Sequence, residues 1–117
     1  MTVKEIADIL QADIVCGKEN AEGTVINSAF SSDMMSDVLA FVNDQGVLLT
    51  GLVNPQVVRT AEMMDISCIV FVRGKKPDAA MVELASERGI ILLSTPERMY
   101  PACGKLYQAG LSEGTTR

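Results

Sequence analysis

Histidine and tryptophan are absent from this chain of 117 residues, and aromatic residues make up only 4% of it. Histidine is the commonest general base and a frequent metal ligand, so its absence excludes a serine triad and histidine metal sites. The few aromatic side chains are scattered, which leaves no stacking platform for single-stranded nucleic acid. We therefore predict no catalytic residues and no metal site.

Cysteine is also scarce. The three cysteines, Cys16, Cys68 and Cys103, form no C-x-x-C pair, and their spacing fits neither a disulfide framework nor a zinc or iron–sulfur ligand set. The phosphate-binding patterns G-x-x-x-x-G-K-[ST] and G-x-G-x-x-G are missing too, since Gly74-Lys75 is only a fragment of the first. We predict reduced thiols in the cytoplasm and no cofactor.

Positive charge is sparse: ten basic residues stand against fifteen acidic ones, which gives a net charge of −5 and a pI near 4.6. Such a chain repels the phosphate backbone of nucleic acids, and its single basic cluster, Arg73-Gly74-Lys75-Lys76, is short. No run reaches the roughly 18 apolar residues of a membrane span, and the first residues lack the pattern of a secretory signal. We expect a soluble, cytoplasmic protein that binds neither nucleic acid nor membrane.

The chain begins with a helix signal. Thr2-Val3-Lys4-Glu5 forms a capping box, in which a hydroxyl and a carboxylate satisfy free N–H groups, and apolar residues then recur at helical spacing. This pattern predicts a helix from about residue 3 to 11. Two β-prone runs follow at 13–16 and 24–30, and the polar stretch between them indicates a hairpin-like connection.

The remaining elements repeat one rhythm. A helix at 33–42, whose capping residues include Asp33, and a turn at 43–46 lead into three units of strand and helix. The units are a strand at 47–50 with a helix at 55–65 capped by Asn54-Pro55, a strand at 68–72 with a helix at 80–88 ended by Gly89, and a strand at 90–93 with a last helix capped by Thr95-Pro96.

Successive strands joined by helices run parallel, and the helices cover the sheet. We therefore predict an α/β fold with three layers, α/β/α, and a mostly parallel sheet that is mixed at the N-terminal strands. Residues 1–110 are predicted to form a single domain, followed by a flexible tail at 111–117 with one apolar residue to anchor it.

In such sheets ligands bind outside the carboxyl ends of the strands, where helix N-termini point free N–H groups. Backbone amides there, together with Arg73 or Lys75, could hold an anion. Each residue also has a local structural reason to be present, as a cap, a turn or a solvated charge, so both interpretations stand. The candidate ligand-binding residues are Thr50, Gly51, Asn54, Arg73, Gly74, Lys75, Ser94 and Thr95. An enzyme would need Lys75 or Asp78 as its general base.

Seven methionines are many for this length. Methionine either fills gaps in a core or lines an adaptable contact surface. If the second use applies, an exposed apolar helix face with Met34, Met35 or Met63 is expected to mediate self-association.

The stretch VLLTGLVNPQVVRTAEMMDISCIVFVRGKKPDAAMVELASERGIILLSTPERMYPACGKLY, residues 47–107, resembles the DRTGG domain, and TVKEIADILQADIVCG and SSDMMSDVLAFV extend the resemblance. Such domains are found beside CBS pairs in regulated pyrophosphatases, in phosphotransacetylases and alone. The resemblance implies a fold like that of the amino-terminal domains of HPr kinase/phosphorylase and the Mur ligases. It also implies a regulatory or interaction domain that is often dimeric, and stand-alone members are grouped with hydrogenase and iron–sulfur gene sets.

The family is named after an Asp-Arg pair in one turn and a Thr-Gly-Gly after the next strand. Here the matching places read Asn54-Pro55 and Arg73-Gly74-Lys75, so only Gly74 agrees. The resemblance implies a non-catalytic regulatory domain, a homodimer that acts with a metabolic or redox enzyme such as a hydrogenase. The alternative is a sensor that binds a nucleotide or phosphorylated metabolite at the carboxyl edge of the sheet.

Overall fold

The computed structural model describes residues 1–41 and 46–112, with only the backbone at residue 41. Its elements in chain order are α1 (Val3–Leu10), β1 (Asp13–Cys16), a short 3-10 helix (Lys18–Asn20), β2 (Ala29–Ser31), α2 (Met35–Phe41), β3 (Val47–Thr50), α3 (Pro55–Met63), β4 (Cys68–Phe71), α4 (Ala79–Arg88), β5 (Ile91–Ser94) and α5 (Met99–Gln108). No helix in these ranges is long and apolar enough to cross a bilayer.

The five strands form one sheet in the order β1-β5-β4-β3-β2. Strands β2 to β5 pair in parallel, and β1 pairs with β5 antiparallel at one edge. Every residue of β3, β4 and β5 is buried, as expected for apolar strands covered on both faces. The predicted mostly parallel, mixed sheet is confirmed.

The sheet divides the interior into two hydrophobic clusters. Because side chains alternate along a strand, Leu49 and Val70 join α1 and α5 on one face, while Leu48 and Ile69 join α2, α3 and α4 on the other. The layers are therefore helix, sheet and helix, as predicted. One face carries two helices and the other carries three.

The hairpin predicted for the first two strands is wrong. β1 and β2 lie at opposite edges of the sheet, and β2 is shorter than expected, covering Ala29–Ser31. The connection instead wraps around the start of α1: Ala21 and Ile26 are buried against it, and the amide of Val3 donates to the carbonyl of Thr24 at 3.0 Å. The segment with these two buried side chains thus connects β1 at one edge of the sheet to β2 at the other.

Side-chain caps fix several helix ends as predicted. The Thr2 hydroxyl accepts from the Glu5 amide at 3.1 Å, and the Glu5 carboxylate accepts from the Thr2 amide at 2.9 Å. The Asn54 side chain caps α3, whose first residue is Pro55, and Gly89 ends α4 in the left-handed conformation with φ 71°. These caps satisfy N–H and C=O groups that the helices leave free.

The cap predicted for the last helix is wrong. Helix α5 begins at Met99, and Arg98 precedes it without a side-chain cap. Thr95 is fully buried instead, and its hydroxyl donates to the carbonyl of Leu10 at 2.7 Å while accepting from the amide of Glu97 at 3.2 Å. The hydroxyl therefore joins the end of α1 to the end of β5.

The first two residues of the predicted tail contact the folded domain. Leu111 is buried in the cluster beneath α1 and α5, and the carbonyl of Ser112 accepts from the amide of Ala29 at 2.8 Å. Residues 113–117, the rest of the predicted tail, lie outside the described residues, as do residues 42–45 of the predicted helix end and turn.

Two buried threonines give opposite predictions for stability. The Thr60 hydroxyl on α3 has no hydrogen-bond partner in the described part of the chain, whereas that of Thr95 has two. Thr60→Val removes a buried, unsatisfied hydroxyl at nearly constant shape, so we expect the free energy of unfolding to rise by about 1 kcal/mol. The matched change Thr95→Val leaves the Leu10 carbonyl unpaired, so we expect the free energy of unfolding to fall by about 1–3 kcal/mol.

Urea denaturation followed by circular dichroism measures both variants. A lower unfolding free energy for Thr60→Val would show that its hydroxyl is satisfied in solution.

Candidate functional site

The carboxyl ends of β2 to β5 lie at one edge of the sheet. Thr50 is aligned with Phe71, and Phe71 with Ser94, so the turns after β3, β4 and β5 are neighbours. This is the edge at which the sequence predicts a ligand site. The structure brings together residues of all three predicted turns.

The turns after β4 and β5 are joined by three hydrogen bonds. The amides of Arg73 and Gly74 donate to the carbonyls of Glu97 at 2.7 Å and Thr95 at 2.8 Å. The Ser94 hydroxyl donates to the carbonyl of Lys75 at 2.6 Å. The two amides that an anion could have used are therefore already occupied.

Arg73 and Gly74 reach these carbonyls because both adopt the left-handed conformation, with φ of 63° and 70°. Glycine tolerates this conformation, whereas an arginine is strained by its β-carbon. The arginine side chain therefore occupies a position where glycine would fit better. Strained residues of this kind are concentrated at functional sites.

The Arg73 guanidinium lies directly over Gly51, in the turn after β3. Its Cζ and Nε atoms are 3.1 Å and 3.3 Å from the position that a β-carbon of residue 51 would occupy. Only a residue without a side chain permits this approach. Arg73 and Lys75 are exposed, and neither forms an ion pair with any residue that the structure describes.

Asp33 also belongs to this edge, although the sequence pattern around it predicts only a helix cap. Its Oδ1 atom accepts from the Gly51 amide at 2.6 Å and from the Thr50 hydroxyl at 3.2 Å. Thr50 in turn accepts from the amide of Leu52 at 3.1 Å. The sequence signal for this role is the position of Asp33 just after β2. It indicates a place beside Thr50 and Gly51 only when β2 is known to pair with β3 in parallel.

Several predicted site residues serve the fold through their side chains. Thr95 is buried, Ser94 joins two turns, and Thr50 holds Asp33 and the backbone after β3. Asn54 lies further along, where its Oδ1 accepts from the amide of Gln56 at 2.9 Å. Among the described residues, the exposed side chains of Arg73, over Gly51, and of Lys75 remain available to a ligand.

Of the two candidate bases, Lys75 is exposed and Asp78 has a structural role. The Asp78 carboxylate caps α4 by accepting from the Met81 amide at 2.9 Å. Burial raises the pKa of the Cys68 thiol far above its usual range, and also raises the pKa of Cys16, so both favour the protonated thiol. Among the described residues, no group of three or more histidine, cysteine or acidic side chains could hold a metal ion.

The predicted methionine surface is only partly present. Met35 is buried in the core with 9% of its surface exposed, whereas Met34 and Met63 are 59% and 64% exposed. Met34 precedes α2 at the carboxyl edge, and Met63 ends α3 at the opposite edge. The two exposed methionines therefore do not form a single face.

Among solved structures, the chain is similar to the CBS and DRTGG domains of the regulatory region of a pyrophosphatase from Clostridium perfringens, determined in complex with its activator, diadenosine tetraphosphate. The TM-score is 0.75 at 16% identity, and the similarity covers 99% of this chain and 50% of that one. The chain thus corresponds to half the length of that protein, and the likeness concerns the fold. A comparison with curated proteins finds no match.

The expected likeness to the amino-terminal domain of HPr kinase/phosphorylase stays a prediction.

The sequence pattern that defines the DRTGG domain matches residues 5–109, which include every element from β1 to α5. The fold agrees with that of a structure containing this domain. The chain therefore belongs to the DRTGG domain family.

Proposed function

We propose that this chain is a non-catalytic regulatory domain that forms a homodimer and acts by binding an enzyme of a metabolic or redox system. Membership of the DRTGG family supports a regulatory role, as does the fold shared with the regulatory region of a pyrophosphatase. The observation that carries the proposal is the set of large apolar side chains that the folded chain leaves exposed. They are Val25, Met34, Leu39, Met63, Tyr100 and Tyr107.

Burying one such side chain completely contributes about 1.5–3 kcal/mol, so a contact that covers three or four of them offsets much of the cost of association. They lie on separate surfaces. Met34 and Met63 lie at opposite edges of the layer of α2 and α3, Leu39 lies on α2, and the two tyrosines lie on α5. One molecule can therefore contact a second copy and an enzyme at the same time. A cytoplasmic location remains part of this proposal.

A second function is favoured by the charges at the carboxyl edge. The Arg73 guanidinium is held over Gly51 without an ion pair in the described part of the chain, and Lys75 is exposed next to it. Guanidinium binds carboxylate or phosphate through two parallel hydrogen bonds. The same domain can thus act as a sensor for a nucleotide or phosphorylated metabolite, bound by side chains.

For the homodimer, we expect light scattering coupled to gel filtration to give twice the chain mass of 12.6 kDa at micromolar concentration. Apolar side chains on a closed, two-fold interface provide the driving force. A mass of one chain at the highest concentrations reached would contradict the homodimer.

For the enzyme partner, we expect a pulldown from a native lysate to recover an enzyme subunit, with a hydrogenase subunit as the specific candidate. Met63→Lys should reduce this recovery strongly because it places a charge in an apolar contact. Glu87→Lys on the exposed surface of α4 is the control that should leave it unchanged. Equal recovery by both variants would place the partner elsewhere.

For the ligand, a thermal-shift series with nucleotides and phosphorylated metabolites should show stabilisation, by about 2.7 kcal/mol when the ligand is at one hundred times its Kd. Arg73→Gly should abolish this shift, while the free variant becomes more stable by about 1 kcal/mol because a left-handed arginine is replaced by glycine. Gly51→Ala should weaken the shift by displacing the guanidinium.

The exposed Arg59 on α3 provides the matched control, since Arg59→Ala removes an equal charge far from the carboxyl edge. A ligand shift that survives in Arg73→Gly but not in Arg59→Ala would move the binding site to another surface.

A further inference from the structure

Two side chains of opposite charge contact the same glycine at the carboxyl edge of the sheet. The Asp33 Oδ1 atom accepts from the Gly51 amide at 2.6 Å, and Cζ of Arg73 lies 3.1 Å from the position of a β-carbon at residue 51. Asp33 follows β2 and Arg73 follows β4, so the turn after β3 has one charge on each side. Because both groups touch Gly51, Asp33 Oδ1 and Arg73 Cζ are no more than about 8 Å apart.

The two charges nevertheless stay separate. Both side chains are exposed, and they form no ion pair with each other or with another described residue. Only one carboxylate oxygen of Asp33 is engaged: Oδ1 accepts from the Gly51 amide and the Thr50 hydroxyl, whereas Oδ2 accepts no hydrogen bond from the described part of the chain. This edge therefore presents a free acceptor oxygen and a free guanidinium to solvent.

The carboxylate restricts what the guanidinium binds. Exposed charges interact at distances up to the Debye length, which is about 8 Å at physiological salt. An anion on Arg73 is thus attracted by the guanidinium and repelled by Asp33. A ligand that also donates a hydrogen bond to Oδ2 replaces this repulsion by a charge-assisted hydrogen bond. The pair of side chains therefore favours an anion that carries a hydrogen-bond donor.

Ribose hydroxyls are donors of this kind. In dinucleotide-binding α/β sheets, an acidic side chain accepts from a ribose hydroxyl while the phosphate lies at a strand-to-helix turn of the same edge. Asp33 has a comparable place, since it contacts the turn between β3 and α3. The phosphate contact comes from the Arg73 side chain, because the backbone amides after β4 are bonded to the turn after β5.

We infer that Asp33 determines the specificity of this edge, and that its ligand is a phosphorylated ribose compound such as a nucleotide. A ribose hydroxyl donates to Oδ2 of Asp33 while the phosphate contacts the guanidinium of Arg73. Inorganic phosphate is bound more weakly because it leaves the Asp33 charge unpaired. This inference rests on the sensor function proposed above and names the class of its ligand.

Matched probes test the inference on the unaltered chain. Adenosine monophosphate and its 2′,3′-dideoxy counterpart differ only in two hydroxyls, while ribose 5-phosphate and inorganic phosphate differ in the whole sugar. In isotope-labelled protein, the amide resonance of Gly51 should shift on titration, because this amide donates to Asp33. The Kd of the dideoxy nucleotide should be about tenfold higher than that of adenosine monophosphate, as expected for the loss of a hydrogen bond to a charged group.

Asp33→Asn separates recognition from folding. The amide oxygen of asparagine still accepts from Gly51 and Thr50, whereas an NH2 group replaces Oδ2 and the charge is lost. The Kd of adenosine monophosphate should rise about tenfold, while that of inorganic phosphate falls about twofold. Circular dichroism and urea unfolding check that the fold is kept. Glu87→Gln removes the same charge near the end of α4, at the opposite edge of the sheet, and should change neither Kd.

Equal Kd values for adenosine monophosphate and its dideoxy counterpart overturn this inference but leave an anion sensor at Arg73. An Asp33→Asn variant that binds adenosine monophosphate and inorganic phosphate more tightly by the same factor overturns it as well, since Asp33 would then act through its charge alone. A wild-type chain that binds none of these probes overturns the inference, and a negative result in the wider thermal-shift series overturns the sensor with it.

Discussion

Parallel pairing of β2 to β5 is the constraint on which the rest of the molecule depends. It requires helical crossovers, which build the layer of α2, α3 and α4, and it places the carboxyl end of every parallel strand at one edge. Because the strands are buried on both faces, their register is fixed by packing. The edge where Arg73 approaches Gly51 is thus a consequence of sheet topology, although no ligand contact is needed to form it.

At that edge the fold uses most of the polar groups itself. The amides after β4 donate to the turn after β5, and Asp33 fixes the turn after β3. A buried or semi-buried backbone group without a partner is costly, so neighbouring turns satisfy one another. Among the residues that the structure describes, the charged ends of Arg73 and Lys75 form no ion pair, so they are the groups at this edge that the fold does not use.

Local patterns in the sequence predicted the elements that depend on local chemistry. The Thr2–Glu5 capping box, the Asn54-Pro55 helix start and the buried strands after residue 46 were all foreseen. The errors arose where contacts between residues far apart in the sequence determine the structure. Thr95 looked like a cap but bonds to Leu10, and the first two strands looked like a hairpin but lie at opposite edges. Asp33 could not be assigned to the site until β2 had a neighbour.

The pairing of β1 with β5 joins the two ends of the chain, and the Thr95 hydroxyl bonds to a residue 85 positions earlier. On the ribosome, the first strand must therefore wait for the last one. At roughly 5–20 residues per second, that delay lasts about 4–17 seconds. During this time β1 lacks the strand with which it pairs, and the apolar residues of α1 lack their contacts with α5, so the nascent chain depends on its own early contacts, or on chaperones, to keep these residues covered until β5 and α5 have been made.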